Sequence, residues 1–254
     1  MSAALDFKRA ADPSHIFLEG VRDAEGNPVE PAPWQVDVIR SEAPKRLILV
    51  SRQGGKSTTV GAKCAHGMVY APGLYLIISP TLRQSKLFLQ KTLSVYNNLT
   101  DVPRIKSCTD VELTLENGSK LVALPGDDDA NIRGYSAPRA IIIDEASRVH
   151  DKVYAAIRPM RAASPNCQLI VLTTPWGRRG WFYEAWENGA GWERTIVTAR
   201  DCPHITDEFL DEELTEHGDW FVRREYMCEF IDTAESFFSS ELFDAMINDE
   251  VEAW

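Results

Sequence analysis

Five short apolar segments recur along the chain, and each has the length and composition of a buried β-strand. They are RLILVS (46–51), GLYLIISP (73–80), RAIIID (139–144), CQLIVLT (167–173) and WERTIVTA (192–199). Stretches in which apolar residues recur at helical spacing separate most of them. Continuous apolar strands that alternate with helices predict an α/β fold with a mostly parallel sheet covered by helices on both faces.

A β-hairpin is predicted between the second and third segments. VELTLENGSKLVALPG (111–126) alternates apolar and polar residues on both sides of Asn117-Gly118, a strong signal for a hairpin turn. Farther along, KVYAAIRPMRAA (152–163) has helical spacing, and Pro159 is expected to bend or end that helix.

Changes in composition divide the chain into three regions. Residues 1–33 are rich in Pro, Gly, Asp and Glu, and we interpret them as an extended N-terminal arm. Residues 34–200 contain the predicted strands and form the core domain. Residues 201–254 are predicted to be a helical lid or linker attached to the sheet, because they are acidic, aromatic and, as far as about residue 230, helical in spacing.

The charge balance limits the possible partners. Lys and Arg total 27 and Asp and Glu total 38, so the net charge is 27 − 38 = −11. A domain that grips nucleic acid over a broad face usually has a basic footprint, so any DNA contact here should be local. The five cysteines and five histidines are scattered without a C-x-x-C pair, which argues against a zinc site. We expect no membrane partner and a cytoplasmic location, because no long apolar run or secretory signal is present.

A candidate phosphate-binding loop follows the first predicted strand. Gly54 and Gly55 allow the backbone to approach phosphates closely, and the next helix contributes N–H groups and about half a positive charge at its start. Lys56 would reach the β- and γ-phosphates, and the Ser57 hydroxyl would bind Mg²⁺. Thr58 lies one position farther into the helix and is a poorer metal ligand.

The loop departs from the usual P-loop pattern at two positions. Val50 stands where the motif normally opens with glycine, and Arg52 adds a second fixed cation inside the loop. A guanidinium offers several donors in one plane, which suits the terminal phosphates of a nucleotide. Taken alone, the segment is also compatible with an ordinary helix start after a strand.

Two carboxylates follow the third apolar segment. Asp144 is placed to hold Mg²⁺ through its water shell, and Glu145 can orient or deprotonate a water molecule in line with the γ-phosphate. The alternative is an exposed Asp-Glu pair at a strand exit, which the preceding apolar run disfavours. Together with the loop, this pair predicts a site for a nucleotide with Mg²⁺.

An aromatic residue and a glutamine precede the first predicted strand. The Gln35 side chain offers an acceptor and a donor that match the adenine edge, and Trp34 could stack on the base. Ordinary packing of Trp34 and a helix-start role for Gln35 explain the same residues equally well.

These motifs together resemble the large terminase subunit of tailed double-stranded DNA viruses, the ATP-driven motor that packages DNA into a preformed capsid. The resemblance rests on S-R-Q-x-G-K-S in the loop, the upstream Trp-Gln pair, the I-R-G segment, the strand that ends in D-E, and T-T-P-x-G. It covers roughly residues 30–240. It implies a RecA-like P-loop NTPase fold of the ASCE type, in which arginine is usual at the position of Arg52 and the first glycine is dispensable.

The resemblance also implies roles for individual residues. Glu145 would be the catalytic base, Asp144 and Ser57 would hold the metal ion, and Arg52 and Lys56 would act on the phosphates. The coupling motif, whose hydroxyl groups could detect the loss of phosphate, corresponds to Thr173, Thr174 and Pro175. The residues assigned to nucleotide binding are Trp34, Gln35, Ser51, Arg52, Gln53, Gly54, Gly55, Lys56, Ser57 and Thr58.

Arg133, in NIRGYS (131–136), matches the family position from which an arginine finger can reach the site of a neighbouring subunit. Such an arginine is worth about 10³ to 10⁵ in rate in well-studied nucleotide hydrolases. Arg139 is the competitor, and we rank Arg133 first because the following Gly134 permits an exposed turn. Either arginine could instead pair with the acidic run at 127–129.

The partners implied by the resemblance are ATP, double-stranded DNA, other copies of the chain in a ring, a portal protein and a small terminase subunit. The implied location is the host cytoplasm, with transient docking on the viral procapsid. The only basic groupings that could contact DNA phosphates are Arg158 with Arg161 and Arg178 with Arg179. They could equally be ordinary surface arginines that contact only solvent. The family normally adds a nuclease domain with clustered carboxylates, and we expect no DNA cleavage because we place no such cluster here.

Two other functions remain open on the sequence. A helicase-like DNA translocase would share the D-E strand end, but it needs a second RecA-like lobe, for which we expect no room. An ATP-binding switch or assembly module with little hydrolysis would need no carboxylate that activates water, whereas Glu145 supplies one.

Overall fold

The structure is a computed structural model that describes residues 3–127 and 132–231. The helices of these residues are α1 (Ala3–Ala11), α2 (His15–Gly20), α3 (Pro33–Arg40), α4 (Lys56–Tyr70), α5 (Leu82–Asn97), α6 (Asp151–Ala162), α7 (Gly180–Glu187), α8 (Asp207–His217) and α9 (Asp219–Glu225). The strands are β1 (Lys45–Val50), β2 (Leu74–Ser79), β3 (Ile105–Cys108), β4 (Glu112–Leu115), β5 (Lys120–Pro125), β6 (Ala140–Asp144), β7 (Gln168–Thr173) and β8 (Glu193–Val197). Short 3₁₀ turns follow β6 at Ala146–Arg148 and β8 at Ala199–Asp201.

The eight strands of the described residues form one sheet in the order β3-β4-β5-β2-β6-β7-β1-β8. From β5 to β8 across the sheet, neighbouring strands run parallel, and β3 and β4 add an antiparallel edge. The predicted α/β fold with a mostly parallel sheet is therefore confirmed. Because the carboxyl ends of parallel strands meet at one edge, β1, β7 and β6 end side by side, where ligands of such sheets usually bind.

Two apolar cores, one on each face of the sheet, explain why the parallel strands read as continuous apolar runs. In β1, Ile48 and Val50 pack into the core shared with α2, α3, α4 and α5. Leu47 and Leu49 point to the other face, into the core shared with α6 and α7. Successive side chains of a strand alternate between faces, so a strand buried on both sides needs apolar residues throughout.

The predicted hairpin is confirmed, and its partner strand was not anticipated. β4 and β5 pair antiparallel around Asn117-Gly118, and Gly118 has a φ of 89° that glycine adopts without strain. β3 pairs with β4 at the edge of the sheet, and its four residues are exposed, so no apolar pattern marks it. Helix α6 continues past Pro159 to Ala162, so the alternative that proline ends this helix is wrong.

The interpretation of residues 1–33 as an extended arm is wrong for its first part, which forms α1 and α2. Ile16 and Phe17 of α2 are buried in the core that also contains α4 and α5. A six-residue helix has too little length for a periodic pattern, and tertiary packing rather than propensity stabilises it. Residues 21–32 lack a helix and contain a turn at residues 24–26, with one β-bridge between Arg22 and Pro28.

Helices α8 and α9 agree with the helical character predicted for the start of the 201–254 region. Helix α8 buries no residue against the rest of the described chain, whereas α9 buries Val222, Arg224 and Glu225. We call residues 207–225 the lid. Among the described residues, no helix is both long enough and apolar enough to cross a membrane.

Candidate nucleotide-binding site

The predicted loop connects β1 to α4 at the carboxyl edge of the sheet, and its glycines are required by its shape. Gly55 has a φ of 88° and begins the helix. A Cβ atom at Gly54 would lie 2.6 Å from Cγ1 of Val50, so the valine that replaces the usual first glycine makes a glycine necessary at 54. Gln53 also has a positive φ of 61°, which is a strained conformation for a residue with a side chain.

Lys56 and Glu145 form an ion pair, although 88 residues separate them. Their Nζ and Oε1 atoms are 2.8 Å apart, and both side chains are largely buried. Glu145 has a φ of 52°, a left-handed conformation that turns the chain sharply after β6. The Thr174 hydroxyl donates a 3.5 Å hydrogen bond to the other carboxylate oxygen of Glu145. The loop, the D-E turn and the T-T-P strand end therefore meet at one point.

Asp144 is buried beside this ion pair. Burial, and then the negative charge of Glu145, raise the pKa of Asp144 to about 6. The Ser57 hydroxyl donates a 3.5 Å hydrogen bond to Oδ2 of Asp144, and the backbone N–H of Glu145 donates to Oδ1 at 3.1 Å. A buried carboxylate with so few donors is an unfavourable arrangement that a cation would relieve.

A second hydroxyl oxygen that could bind a cation or its water shell lies next to Asp144. Ser79, at the end of β2, is fully buried, and its hydroxyl has no hydrogen-bond partner among the described residues. Ile78 pairs with Ile143 in the sheet, so Ser79 lies opposite Asp144, and both side chains point to the face covered by α4. An all-oxygen set with few protein ligands suits Mg²⁺, which usually keeps several water molecules. The described residues contain no cluster of three or more His, Cys, Asp or Glu side chains that could hold a metal.

A cavity of about 430 Å³ lies on the side of the loop that faces residues 21–35. Its lining includes Trp34, Gln35, Gly54, Gly55 and Thr58. The Gln35 amide is engaged at both ends, since its oxygen accepts the N–H of residue 32 at 2.8 Å and its nitrogen donates to the hydroxyl of residue 59 at 2.9 Å. A base that occupied this cavity would have to exchange one of these bonds to be read by Gln35.

The T-T-P strand end is tied to the turn that follows the two carboxylates. Thr173 and Thr174 are buried, and the Ser147 and Thr173 hydroxyl oxygens lie 2.8 Å apart. Ser147 also donates to the backbone carbonyl of Thr174 at 3.0 Å. Pro175 is buried as well and ends this strand extension. The serine was not predicted, because nothing in the sequence pairs it with a strand end 26 residues away.

The lid contacts the loop backbone directly. The N–H of Arg52 donates to the carbonyl of Glu225 at 2.7 Å. Just before the lid, the His204 ring lies 3.1 Å from the carbonyl of Gln53. At the start of the loop, the N–H of Ser51 donates to the carbonyl of Val197 in β8 at 2.8 Å. The Arg52 side chain itself is exposed.

The two candidate arginine fingers lie in different places. Arg133 is exposed in the turn at 132–134. Arg139 is also exposed and comes directly before β6, and its N–H bonds the carbonyl of Leu74 at the start of β2. It therefore lies at the amino edge of the sheet, far from the loop of its own chain. Two of the three acidic residues proposed as alternative partners, 128 and 129, lie outside the described residues.

The basic groupings do not form one surface. Arg178 and Arg179 are exposed after β7, at the carboxyl edge. Arg158 and Arg161 lie at the end of α6, and Arg161 donates to the carbonyl of residue 44 at the amino edge. Lys45 lies near Arg158 and Arg161. Its pKa is lowered, mainly by burial and also by the positive charges of these and other nearby arginines.

The sheet order, with the phosphate loop between β1 and α4, defines the chain as an α/β protein with the RecA-like fold of P-loop NTPases. The chain belongs to the family described as terminase large subunit, T4likevirus-type, N-terminal, which matches residues 47–245.

Individual relatives agree with this assignment. The terminase large subunit of Thermus phage G20c is 26% identical over 220 residues, a match that covers 77% of this chain and 44% of that protein. The chain thus spans less than half the length of this relative. The large terminase ATPase domain of Thermus phage P74-26 superposes with a TM-score of 0.66 at 21% identity, covering 80% of this chain and 94% of that one. The large terminase of bacteriophage D6E in complex with ATP-γ-S gives 0.64 at 11% identity, covering 79% and 53%.

Proposed function

We propose that this chain is the ATP-hydrolysing motor domain of a large terminase subunit, which drives double-stranded viral DNA into a procapsid. The observation that carries the proposal is the convergence of Lys56, Ser57, Asp144 and Glu145 at the carboxyl edge of the sheet. The family and the nucleotide complex of a structural relative support ATP as the ligand.

The residues of the site suggest how hydrolysis proceeds. The triphosphate would compete with Glu145 for the Lys56 ammonium, so binding frees the Glu145 carboxylate to accept a proton from a water molecule. Ser57 and Asp144, with Ser79 behind them, would hold Mg²⁺, which supplies charge neutralisation at the phosphates. Arg52 projects from the loop and would contact the terminal phosphates.

The larger assembly follows from the family. We propose that several copies form a ring in which Arg133 of one copy completes the site of the next. The ring would dock on a portal protein and work with a small terminase subunit in the host cytoplasm. The relatives are large terminase subunits, and these partners are proposed on that basis.

The decisive experiment replaces the proposed base. Glu145→Gln removes the carboxylate and keeps the side-chain volume, so ATP turnover should fall by about 100-fold or more. Binding of a fluorescent ATP analogue should persist or tighten, because Lys56 loses its competing anion. Glu116→Gln, an exposed glutamate in the hairpin, is the matched control and should change neither quantity.

Two results would contradict the proposal. Unchanged turnover in Glu145→Gln would remove the assignment of the base. Absence of turnover in the unaltered protein, with nucleotide binding intact, would favour an ATP-binding switch.

A further inference from the structure

A stack of alternating guanidinium groups and indole rings joins the T-T-P strand end to the lid. Trp176 follows the T-T-P motif directly. The guanidinium carbon of Arg148 lies 4.2 Å from a Trp176 ring centroid, and that of Arg224 lies 4.7 Å away. Arg224 also lies 4.8 Å from a ring centroid of Trp220 in the lid.

One end of the stack begins at the candidate catalytic turn. Arg148 belongs to the 3₁₀ turn after Glu145, and its N–H donates to the Glu145 carbonyl at 2.9 Å. A movement of Glu145 would therefore shift Arg148 and, through it, Trp176. Ser147 in the same turn is hydrogen-bonded to both threonines before Trp176, so the turn and the strand end are directly connected.

The other end of the stack reaches the phosphate loop through the lid. Arg224 and Glu225 are both buried and form an ion pair with a nitrogen–oxygen distance of 3.0 Å. The carbonyl of Glu225 accepts the N–H of Arg52 in the loop. Arg224, which contacts Trp176, is therefore the chain neighbour of Glu225, which contacts the loop.

A buried arginine is the appropriate residue for this position. Its flat guanidinium can lie against two indole rings and still donate to a carboxylate, whereas the ammonium of lysine is a point charge. These contacts depend on the relative placement of the strand end and α9, so a small displacement of either element breaks them.

We propose that Arg224 is a positioning residue that couples nucleotide binding to the lid, by clamping the lid between Trp176 and the loop. This inference rests on the proposed function. When Glu145 leaves Lys56, the change passes through Arg148 and Trp176 to Arg224, and α9 moves relative to the loop.

The test measures hydrogen exchange in residues 207–226 with and without a slowly hydrolysed ATP analogue and Mg²⁺. In the unaltered protein, the nucleotide should change the protection of this segment. In Trp176→Leu the change should be lost, while affinity for the analogue stays within about threefold. Trp176→Phe keeps a ring face and should retain most of the response. Turnover in Trp176→Leu should fall at least tenfold, with the KM for ATP little changed.

Arg224→Lys is the second variant, and Arg223→Lys on the same helix is its matched control. Arg223 is exposed and pairs with Glu229, so its replacement should leave the lid response intact. Arg224→Lys keeps the charge beside Glu225 but loses the stack, and it should abolish the response. If Trp176→Leu does not fold, the comparison of Arg224→Lys with Arg223→Lys tests the proposal instead.

The outcomes separate this inference from the proposed function. A normal lid response in Trp176→Leu or Arg224→Lys would overturn the coupling role of Arg224. Lack of turnover in the unaltered protein, with a lid response that these variants abolish, would overturn the ATPase proposal and keep the coupling. Equal loss in Arg223→Lys would mean that α9 is merely sensitive to substitution, and the proposal would fail.

Discussion

At the scale of single residues, the buried hydroxyl of Ser79 has no hydrogen-bond partner among the described residues. A buried polar group without a partner destabilises the folded state. A ligand that bonds the Ser79 hydroxyl would offset this destabilisation. The nearest candidate is a water molecule bound to a cation that Asp144 and Ser57 would hold. The apolar strand around Ser79 gives no indication of this role.

Replacing Ser79 by alanine should therefore have opposite effects on stability and on metal binding. The thermal unfolding midpoint of the metal-free protein should stay the same or rise, because an unsatisfied group is removed. Affinity for Mn²⁺ in the presence of ADP, measured by electron paramagnetic resonance, should weaken by about three- to tenfold, the value of one hydrogen bond.

Ser85 supplies the control for this prediction. It is another buried serine, but its hydroxyl donates to the carbonyl of Leu124 at 2.6 Å. Ser85→Ala should lower the unfolding midpoint and leave Mn²⁺ affinity unchanged. Unaltered Mn²⁺ affinity in Ser79→Ala would exclude Ser79 from the metal site.

At the scale of elements, one buried arginine links the two N-terminal helices to each other and to the loop after α5. Arg9 of α1 is fully buried, pairs with Glu19 of α2 and donates to the carbonyl of Thr100 at 2.7 Å. These two contacts connect α1, α2 and the loop after α5. Helix α1 also contacts α4, where the Tyr70 hydroxyl donates to the Asp6 carboxylate at 2.8 Å. Tertiary contacts of this kind are needed because a nine-residue helix is marginal in water.

Arg9→Leu should lower the free energy of unfolding by about 2 kcal/mol, because it leaves the half-buried Glu19 carboxylate and the Thr100 carbonyl without their donor. Urea unfolding measures this difference. The exposed neighbour Lys8 is the control, and Lys8→Gln should change stability by less than about 0.5 kcal/mol. Equal stability of Arg9→Leu and the unaltered protein would show that α1 is not fastened in this way.

At the scale of the whole molecule, the net charge of −11 and the separation of the basic groupings mean that the proposed motor would have to act on DNA as an assembly. No broad basic face is expected on such a chain, so several copies would have to contribute local contacts to DNA together. The exposed position of Arg133 is compatible with a contact to a neighbouring copy.

If Arg133 acts on a neighbouring copy, ATP turnover per subunit should rise with protein concentration, and Arg133→Ala should lose that rise. Mixing Arg133→Ala with Lys56→Ala should restore part of the turnover, since each variant supplies what the other lacks. The restored rate should exceed that of either variant alone by about tenfold or more, given the value of an arginine finger.

Arg139→Ala provides the comparison. Mixed with Lys56→Ala, it should add nothing beyond its own activity if Arg133 is the finger. Restoration by Arg139→Ala instead would reverse the ranking of the two arginines. A constant low rate at all concentrations in every variant would place Arg52 alone, in its own chain, beside the phosphates.

The sequence predicted those parts of the fold that depend on local pattern. The strands β1, β2, β6, β7 and β8 and the hairpin were predicted because burial on both faces, or a turn at Asn117-Gly118, leaves a mark within a few residues. The edge strand β3 and the short helix α2 leave no such mark. Their structure depends on β4 and on α4 and α5, which lie elsewhere in the chain.

By itself, the sequence determined the class of the fold and the chemistry available in the loop and at the D-E strand end. Those conclusions depend on residue types at short spacing. Only the tertiary structure decided that Lys56 meets Glu145, that Ser79 lies opposite Asp144, and that Arg224 lies between Trp176 and Trp220. The physical reason is that strand order and helix packing set these distances, and neither is encoded within any short segment.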